Sequence, residues 1–318
     1  MGKTSTATVE NAVYDRCGDI EIKYVAKPRR FYEVRALAEV EAGHGPWVEV
    51  PSVSTIVDCL SKNGLSWWGQ TTALEAVVKL FKIGGFITPD QSGDLVCWDA
   101  DLNRYVKATA ESLNALLTKQ KLTVNHVLKK AGDRGTGVHD AYQNWIEQGL
   151  MPQPSLFVPE EQGYVEGLVK FLTALEANGK MTKRRAEVMV GSVEHKFAGR
   201  FDCEGDIKNA ELCVKLPTPS WKAEGPNHHS AKGPEFKVFN GLTLFDLKTS
   251  KGIYDSHLFQ MEGYEIGRVE GGLPPTEQRL VVNVRMDGSY VVGESNGKAE
   301  DFLDIRKLYD TVTRIGLA

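Results

Sequence analysis

The chain predicts an α/β fold, more narrowly α+β, on three observations. Short apolar runs alternate with turns to about residue 50 and read as a β-ribbon; helical patterning dominates from there to about residue 177; beyond it strand patterns return, interleaved with two helices. The 318 residues, 42% hydrophobic and 25% charged, suit one elaborated domain or two small ones, not a fibre or a disordered chain. No internal repeat is visible.

The ribbon rests on Ile20–Val25 and Trp47–Val50. Pro51-Ser52 introduces helical segments at about Ser54–Cys59 and Ser66–Phe81, the second rich in helix formers from Ala73 to Phe81. Gly84-Gly85, Pro89-Asp90 and Ser92-Gly93 make residues 84–108 a turn-rich connection with a small hairpin near Leu95–Trp98. Helices are expected over Ala110–Lys130 and Gly137–Gln148, the latter capped by Thr136, and over Glu160–Ala177 after a Pro-rich break. Ala186–Val190 and Lys196–Asp202 read as paired strands joined at Gly191-Ser192. Residues 208–240 are polar and Pro/Gly-rich and read as an insertion with one hairpin; the part with His228-His229 reads first as a loop, with a second metal site and a DNA-binding flap as the alternatives. A strand at Leu242–Lys248, a helix at Ser256–Arg268, strands at Arg279–Val284 and Tyr290–Val292 and a helix at Ala299–Ile315 complete the chain. The expected division is an N-terminal ribbon and helical region, 1–108, before a core at 109–318.

Composition excludes several classes. Lys+Arg 38 against Asp+Glu 42 gives a net charge of -4, which argues against binding nucleic acid by bulk positive charge but not against a local basic groove. No apolar run nears the roughly 18 residues that span a bilayer, and Met1–Thr6 is no secretory signal, so no membrane partner is expected. The five cysteines form no C-x-x-C pair, so neither a disulfide framework nor a zinc ribbon is indicated and a cytoplasmic location is expected.

The chemistry concentrates in Asp246-Leu247-Lys248. Strand periodicity puts Asp246 and Lys248 on one face with Leu247 pointing the other way, so a carboxylate able to bind a hard cation stands beside an amine able to orient water. Alone, the tripeptide reads as a surface ion pair worth under about 1 kcal/mol. Its company changes that. Gly199-Arg200-Phe201-Asp202 supplies a second acid on the preceding strand, and two converging carboxylates call for a cation. Gly135-Thr136-Gly137-Val138-His139 supplies an imidazole upstream; Gln260 and Tyr264, four apart, share a helix face downstream. Three basic clusters could meet DNA: Lys27–Arg30, Lys129-Lys130 with Arg134, and Lys183-Arg184-Arg185. Trp67, Trp68 and Tyr142 are candidates for stacking on bases, although core burial is the commoner fate of such rings.

In this order, G-T-x-V-H, G-R-F-D, D-L-K-T-S and Q-x-x-x-Y, the chain resembles the PD-(D/E)XK nucleases, most of all the branch of the RecB nuclease domain, the CRISPR-associated exonucleases and phage lambda-type exonucleases. Pro51–Ile56 and Leu65–Trp68 resemble the N-terminal region of phage-encoded members; the likeness spans about residues 51–270. It implies a restriction-endonuclease-like core, a central mixed β-sheet flanked by helices, elaborated by the ribbon and the N-terminal helices. It also implies an Mg²⁺- or Mn²⁺-dependent deoxyribonuclease, an exonuclease acting on linear DNA or a free end in phage or bacterial recombination, replication or repair. Phage recombination or replication proteins would be partners and the host cytoplasm the location. A structure- or site-specific endonuclease and a non-catalytic DNA-binding module are the alternatives.

The resemblance assigns His139, Asp202, Asp246 and the Leu247 carbonyl to one or two metal ions, and Lys248 to catalysis with Asp202, Asp246 and Glu187, the last as an acid that helps with a second metal. Gln260, Tyr264, Thr249 and Ser250 would support the site or meet the DNA backbone, with Arg200, Lys183, Arg184 and Arg185 as further DNA contacts. The chain departs from the family pattern in carrying Gln143 and Glu147 where a glutamate often follows the histidine, and in the long separation of Asp202 from Asp246. Its cysteines lack the clustering of an iron–sulfur site, so no such cluster is expected.

Overall fold

The computed structural model describes residues 12–26, 30–37, 45–60, 62–177, 181–217 and 233–316, with side chains except at 62–68. The chain forms two compact units, Met1–Leu60 with Gly137–Ala318, and Ser61–Thr136. The division does not fall at residue 108: the N-terminal ribbon shares a core with the last half of the chain, through Ile20, Ile22 and Val34 packed with Val188 and Val190.

The ribbon is an antiparallel meander of β1 (Ala12–Cys17), β2 (Ile20–Val25), β3 (Phe31–Ala36) and β4 (Val48–Val50). Of the basic run at its β2–β3 turn, only Arg30 lies within the described residues. Ser52 then caps α1 (Val53–Asp58), its Oγ accepting the Thr55 N–H at 3.0 Å.

In the smaller unit, α2 (Lys62–Ile83) starts earlier than expected, and β5 (Ile87–Pro89), β6 (Leu95–Asp99) and β7 (Arg104–Lys107) form an antiparallel sheet that includes the anticipated hairpin. Trp67 and Trp68 lie in α2, outside the described side chains. The expected Ala110–Lys130 helix is two: α3 (Ala110–Lys119) ends where Lys121 takes a φ of 55°, and α4 (Val124–Gln148) runs on unbroken. Thr136 is therefore not a cap; its hydroxyl donates to the Gly132 carbonyl at 3.1 Å inside the helix. Burial of Val138, Ala141, Tyr142, Trp145 and Ile146 on one stripe outweighs the low helix propensity of Gly132, Gly135 and Gly137.

In the larger unit, α5 (Pro159–Glu176) begins with Pro159 in the first turn, where its missing N–H costs nothing. A five-stranded sheet follows, from β8 (Thr182–Ser192), β9 (Phe197–Lys215), β10 (Glu235–Lys248), β11 (Gln278–Val284) and β12 (Tyr290–Glu294), with α6 (Asp255–Glu270) between β10 and β11 and α7 (Ala299–Arg314) at the end. The order is β12-β11-β10-β9-β8, with β10–β11 parallel and the rest antiparallel, so the sheet is mixed and α6 is its crossover.

One expectation is corrected here: the β8–β9 turn spans 193–196, not Gly191-Ser192, with Lys196 at a φ of 55°. In the polar stretch 208–240 the described residues are largely strand and form the anticipated hairpin, β9 and β10 running on antiparallel with outer rungs that join Phe239 to Ala210 and Glu235 to Lys215. Residues 218–232, with His228-His229, lie outside the described ones.

Flanking elements cover the sheet. One core joins Phe171 and Leu168 of α5 and Tyr142 and Trp145 of α4 to Phe245, Leu247 and Val282; the other joins Val53 and Ile56 of α1, Met261 and Tyr264 of α6 and Phe302 of α7 to Phe197 and Leu244. A side chain at Gly199 would put its Cβ 2.8 Å from the Tyr264 ring and 2.9 Å from Val53, so only glycine lets α1 and α6 close on the strand that carries Asp202. No described helix is long and apolar enough to cross a membrane.

Candidate active site

Three elements converge on Asp202. His139 of α4 puts Nδ1 2.9 Å from its Oδ1, and the Leu247 N–H of β10 donates to its Oδ2 at 2.5 Å. The imidazole proton on this contact must sit on Nδ1, since the carboxylate can only accept. Phe245 opposite Cys203 is the last rung of the β9–β10 ladder, which leaves Asp246 across from Asp202 one step further on. Lys248, two residues beyond and hence on the same face, lies 2.5 Å from Asp246 Oδ2 as an ion pair. Asp246 is 3% exposed, which makes that pair costly to break from one side.

Glu187 falls between the rungs Ala186–Cys203 and Val188–Phe201, across β9 from Asp202. Its φ of 51° is left-handed, a conformation a glutamate adopts only when its surroundings hold it. The carboxylate is ion-paired at 2.7 Å with Arg200, whose guanidinium also lies 5.5 Å from the Tyr24 ring centre.

These groups shift one another. Burial pushes the Asp246 carboxyl up, and the negative charge of Asp202 adds to that against the pull of Lys248. Burial also works to raise Asp202, but His139, Lys248 and the Leu247 N–H together hold it below its ordinary value. In His139, burial is outweighed by the charge and hydrogen bond of Asp202, so the ring keeps its proton to higher pH than usual. Lys248 likewise resists burial and stays charged, held by Asp246 and Asp202. Two neighbouring acids pushed in opposite directions, with a retained ammonium between them, is the pattern of a reactive site more than of a structural ion pair.

A cavity of about 630 Å³ lies on the ribbon side, where Arg200, the ion-pair partner of Glu187, forms part of its wall with Arg30, Tyr24, Tyr32, Ser52 and the acidic Glu49. Its lining of two guanidinium groups, hydroxyls and aromatic rings, which outnumber the single carboxylate of Glu49, suits an anion with an attached ring.

Other expected residues lie elsewhere or do other work. Tyr264 is buried against Phe201 at 5.6 Å between ring centres, within the core and not on the surface. Gln260 is buried too, with its Oε1 lacking a partner. Ser250 donates its hydroxyl to the Gly252 carbonyl in the turn after β10, beside half-buried Thr249. Lys183, Arg184 and Arg185 are not a free basic patch: they pair with Asp206 at 2.7 Å, Glu176 at 3.9 Å and Glu204 at 2.9 Å. Tyr142 is 1% exposed and stacked with Trp145, which removes it as a base-stacking ring.

Sequence reasoning missed Asn283, fully buried, whose amide donates to the Lys248 carbonyl at 3.3 Å and the Ser250 carbonyl at 2.9 Å and so fixes the turn after the lysine. It also missed His257, whose charge is opposed by burial and by Lys248. A buried asparagine late in an apolar strand was the available signal for the first.

Among the described residues, a tight set of three ligand types stands elsewhere: Glu194, His195 and Glu270, with donor atoms within 4.8 Å of one another at the β8–β9 turn. There Glu270 Oε1 already accepts the N–H groups of Val193 and Glu194, which is a turn-fixing role.

No protein-family profile matches the sequence, and no curated protein matches it. The crystal structure of SSO0001 is similar over 55% of this chain and 71% of its own, at 15% identity and a TM-score of 0.26, a likeness too slight to carry an argument.

Proposed function

We propose that this protein is a metal-dependent DNA nuclease built on a restriction-endonuclease-like core of the PD-(D/E)XK type. The observation that carries the reading is the meeting of His139, Asp202, Asp246 and Lys248, from three elements far apart in sequence, in one row of charge. The donor chemistry fits a hard divalent cation: two buried or half-buried carboxylates whose repulsion a cation relieves, an imidazole, and the Leu247 carbonyl on the same strand end. His139, Asp202, Asp246 and Leu247 would hold Mg²⁺ or Mn²⁺. Such an ion polarises a phosphate oxygen and lowers the pKa of a bound water.

The chain's own groups do the rest. Lys248 stays protonated, so it acts as a hydrogen-bond donor and a positive charge toward the attacking water or the phosphate, not as the base. Asp246 holds that ammonium in place. Glu187, tied to Arg200, is released when a phosphate takes the guanidinium, and then adds its charge to the row.

Because a coordinating imidazole must first lose its proton, divalent-ion affinity should rise with pH through the raised pKa of His139, above its ordinary 6.5. Mn²⁺ calorimetry across that range checks this, and His139→Asn should flatten the profile. A profile that falls with pH would contradict the assignment.

The cavity beside Arg200 favours an exonuclease, since two guanidinium groups and hydroxyls, against one carboxylate at Glu49, suit the terminal phosphate of a strand. The test is digestion of end-labelled linear and closed circular DNA, with Mg²⁺ or EDTA, on ends with and without phosphate. Linear DNA should disappear and circles persist, with phosphorylated ends cut about tenfold faster, a preference that Arg30→Gln should erase. Cut circles would indicate an endonuclease, and binding without cleavage a non-catalytic module.

A further inference from the structure

The β8–β9 turn and the end of α6 meet in a second group of charge, none of it shared with the row around Asp202. Glu194, His195 and Glu270 have donor atoms within 4.8 Å of one another and line one cavity of about 380 Å³. Glu262 and Glu265 line it too, but Arg279 at 3.1 Å and Arg268 at 4.0 Å neutralise them. Glu194 and Glu270 have no Lys or Arg partner among the described residues. The His195 ring makes no hydrogen bond among them either; only its backbone N–H is engaged, donating to Ser192 Oγ at 2.7 Å.

Fixing the turn accounts for half of Glu270. Its Oε1 accepts the N–H groups of Val193 at 2.8 Å and Glu194 at 2.9 Å, which holds the carboxyl in place. Its Oε2 is out of contact with solvent and has no hydrogen-bond partner. A buried carboxylate oxygen left bare is costly, and two features raise the cost. Glu270 is the last residue of α6, where the helix carbonyls already present negative charge. Glu194 brings a second acid that no cation offsets. Negative charge from three sources, with an imidazole beside it, calls for a positive ion.

We propose that Glu194, His195 and Glu270 form a site for a divalent transition metal of the Zn²⁺ class, which pins the β8–β9 turn to the end of α6. The donors select the class: an imidazole with carboxylates is a zinc set, whereas Mg²⁺ takes oxygen ligands and keeps its waters. Zinc ligands about 2.0–2.2 Å from the ion stand roughly 3.5 Å from one another, so the set closes by about an ångström on binding. Glu194, exposed on the turn, supplies that movement, while the two turn amides hold Glu270 ready. The same helix carries Tyr264 against Gly199, so anchoring its end steadies the packing of α6 on the Asp202 strand. The site stands whether or not the nuclease reading does.

The test is calorimetric titration of Zn²⁺ into metal-stripped protein in excess Mg²⁺, with thermal unfolding alongside. The wild type should bind Zn²⁺ and gain in Tm. Glu194→Gln and His195→Ala should each weaken that binding by at least about tenfold and remove the gain, whereas His139→Asn, in the row around Asp202, should keep both. Glu270→Gln can still accept the Val193 and Glu194 N–H groups through its amide oxygen, so it should fold in EDTA as the wild type does and yet lose the ion. A wild type that binds no Zn²⁺, binding that His139→Asn abolishes, or binding that survives the changes at Glu194, His195 and Glu270 overturns the site.

Discussion

Asp202→Asn should leave the protein folded and reduce Mg²⁺-dependent DNA cleavage by about 10³-fold or more, the scale set by removing a group that organises both charge and proton position. The amide is isosteric, so the carbonyl oxygen can still accept from Leu247, but it carries no charge for a cation or for His139. Divalent-ion binding should vanish with activity. The substitution also has a stability signature. His139 is raised, so its share of the pair is complete below 6.5 and is lost as pH climbs through the raised value; Asp202 is lowered, so its share is complete above 3.8 and is lost as pH falls through the lowered value. Both shares are complete between 3.8 and 6.5. Urea unfolding should therefore show Asp202→Asn costing about 1–2 kcal/mol near pH 5.5 and less near pH 8.5. An equal cost at both would mean the contact with His139 contributes nothing.

Lys248→Ala should lose activity by a different route. Cleavage should fall by about 10²–10⁴-fold, yet the cation should bind at least as well, because the ammonium no longer competes for Asp246 Oδ2. Without a cation, the buried carboxylate is left unpaired or must take up a proton, which costs about 3–5 kcal/mol. Added Mn²⁺ should consequently raise the variant's Tm more than the wild type's. Retained cleavage would remove Lys248 from the mechanism; loss of cation binding would make it a structural partner of Asp246 and nothing else. Asp202→Asn and Lys248→Ala together separate holding the ion from using it.

Much of the site was legible in the sequence because its parts obey local periodicity. Asp246 and Lys248 share a face for the reason any residues two apart on a strand do. The G-R-F-D motif marked Asp202, but not that its Gly199 is where α1 and α6 close on the strand. What was not legible depends on partners remote in sequence. Lys183-Arg184-Arg185 reads as a basic surface until Asp206, Glu176 and Glu204 arrive from three other places to pair with it. Thr136 reads as a cap because threonine before a Gly-containing start usually is one, whereas the buried stripe from Val138 to Ile146 draws the helix through it. A hairpin within 208–240 was expected, but its extent out to Lys215 and Glu235 was hidden by its own polarity: Phe236 and Val238 are exposed there, so the burial contrast that betrays a strand is weak. His257 and Asn283 carry no motif and acquire meaning only beside Lys248.

The most direct trial of the central claim is cleavage of one end-labelled linear duplex by wild type and Asp202→Asn, side by side, in Mg²⁺ and in EDTA. Steady release of label by the wild type in Mg²⁺, with none in EDTA and essentially none from the variant, is the predicted result. Label released in EDTA, released equally by the variant, or not released at all under any divalent ion would contradict the assignment of these residues to phosphodiester hydrolysis.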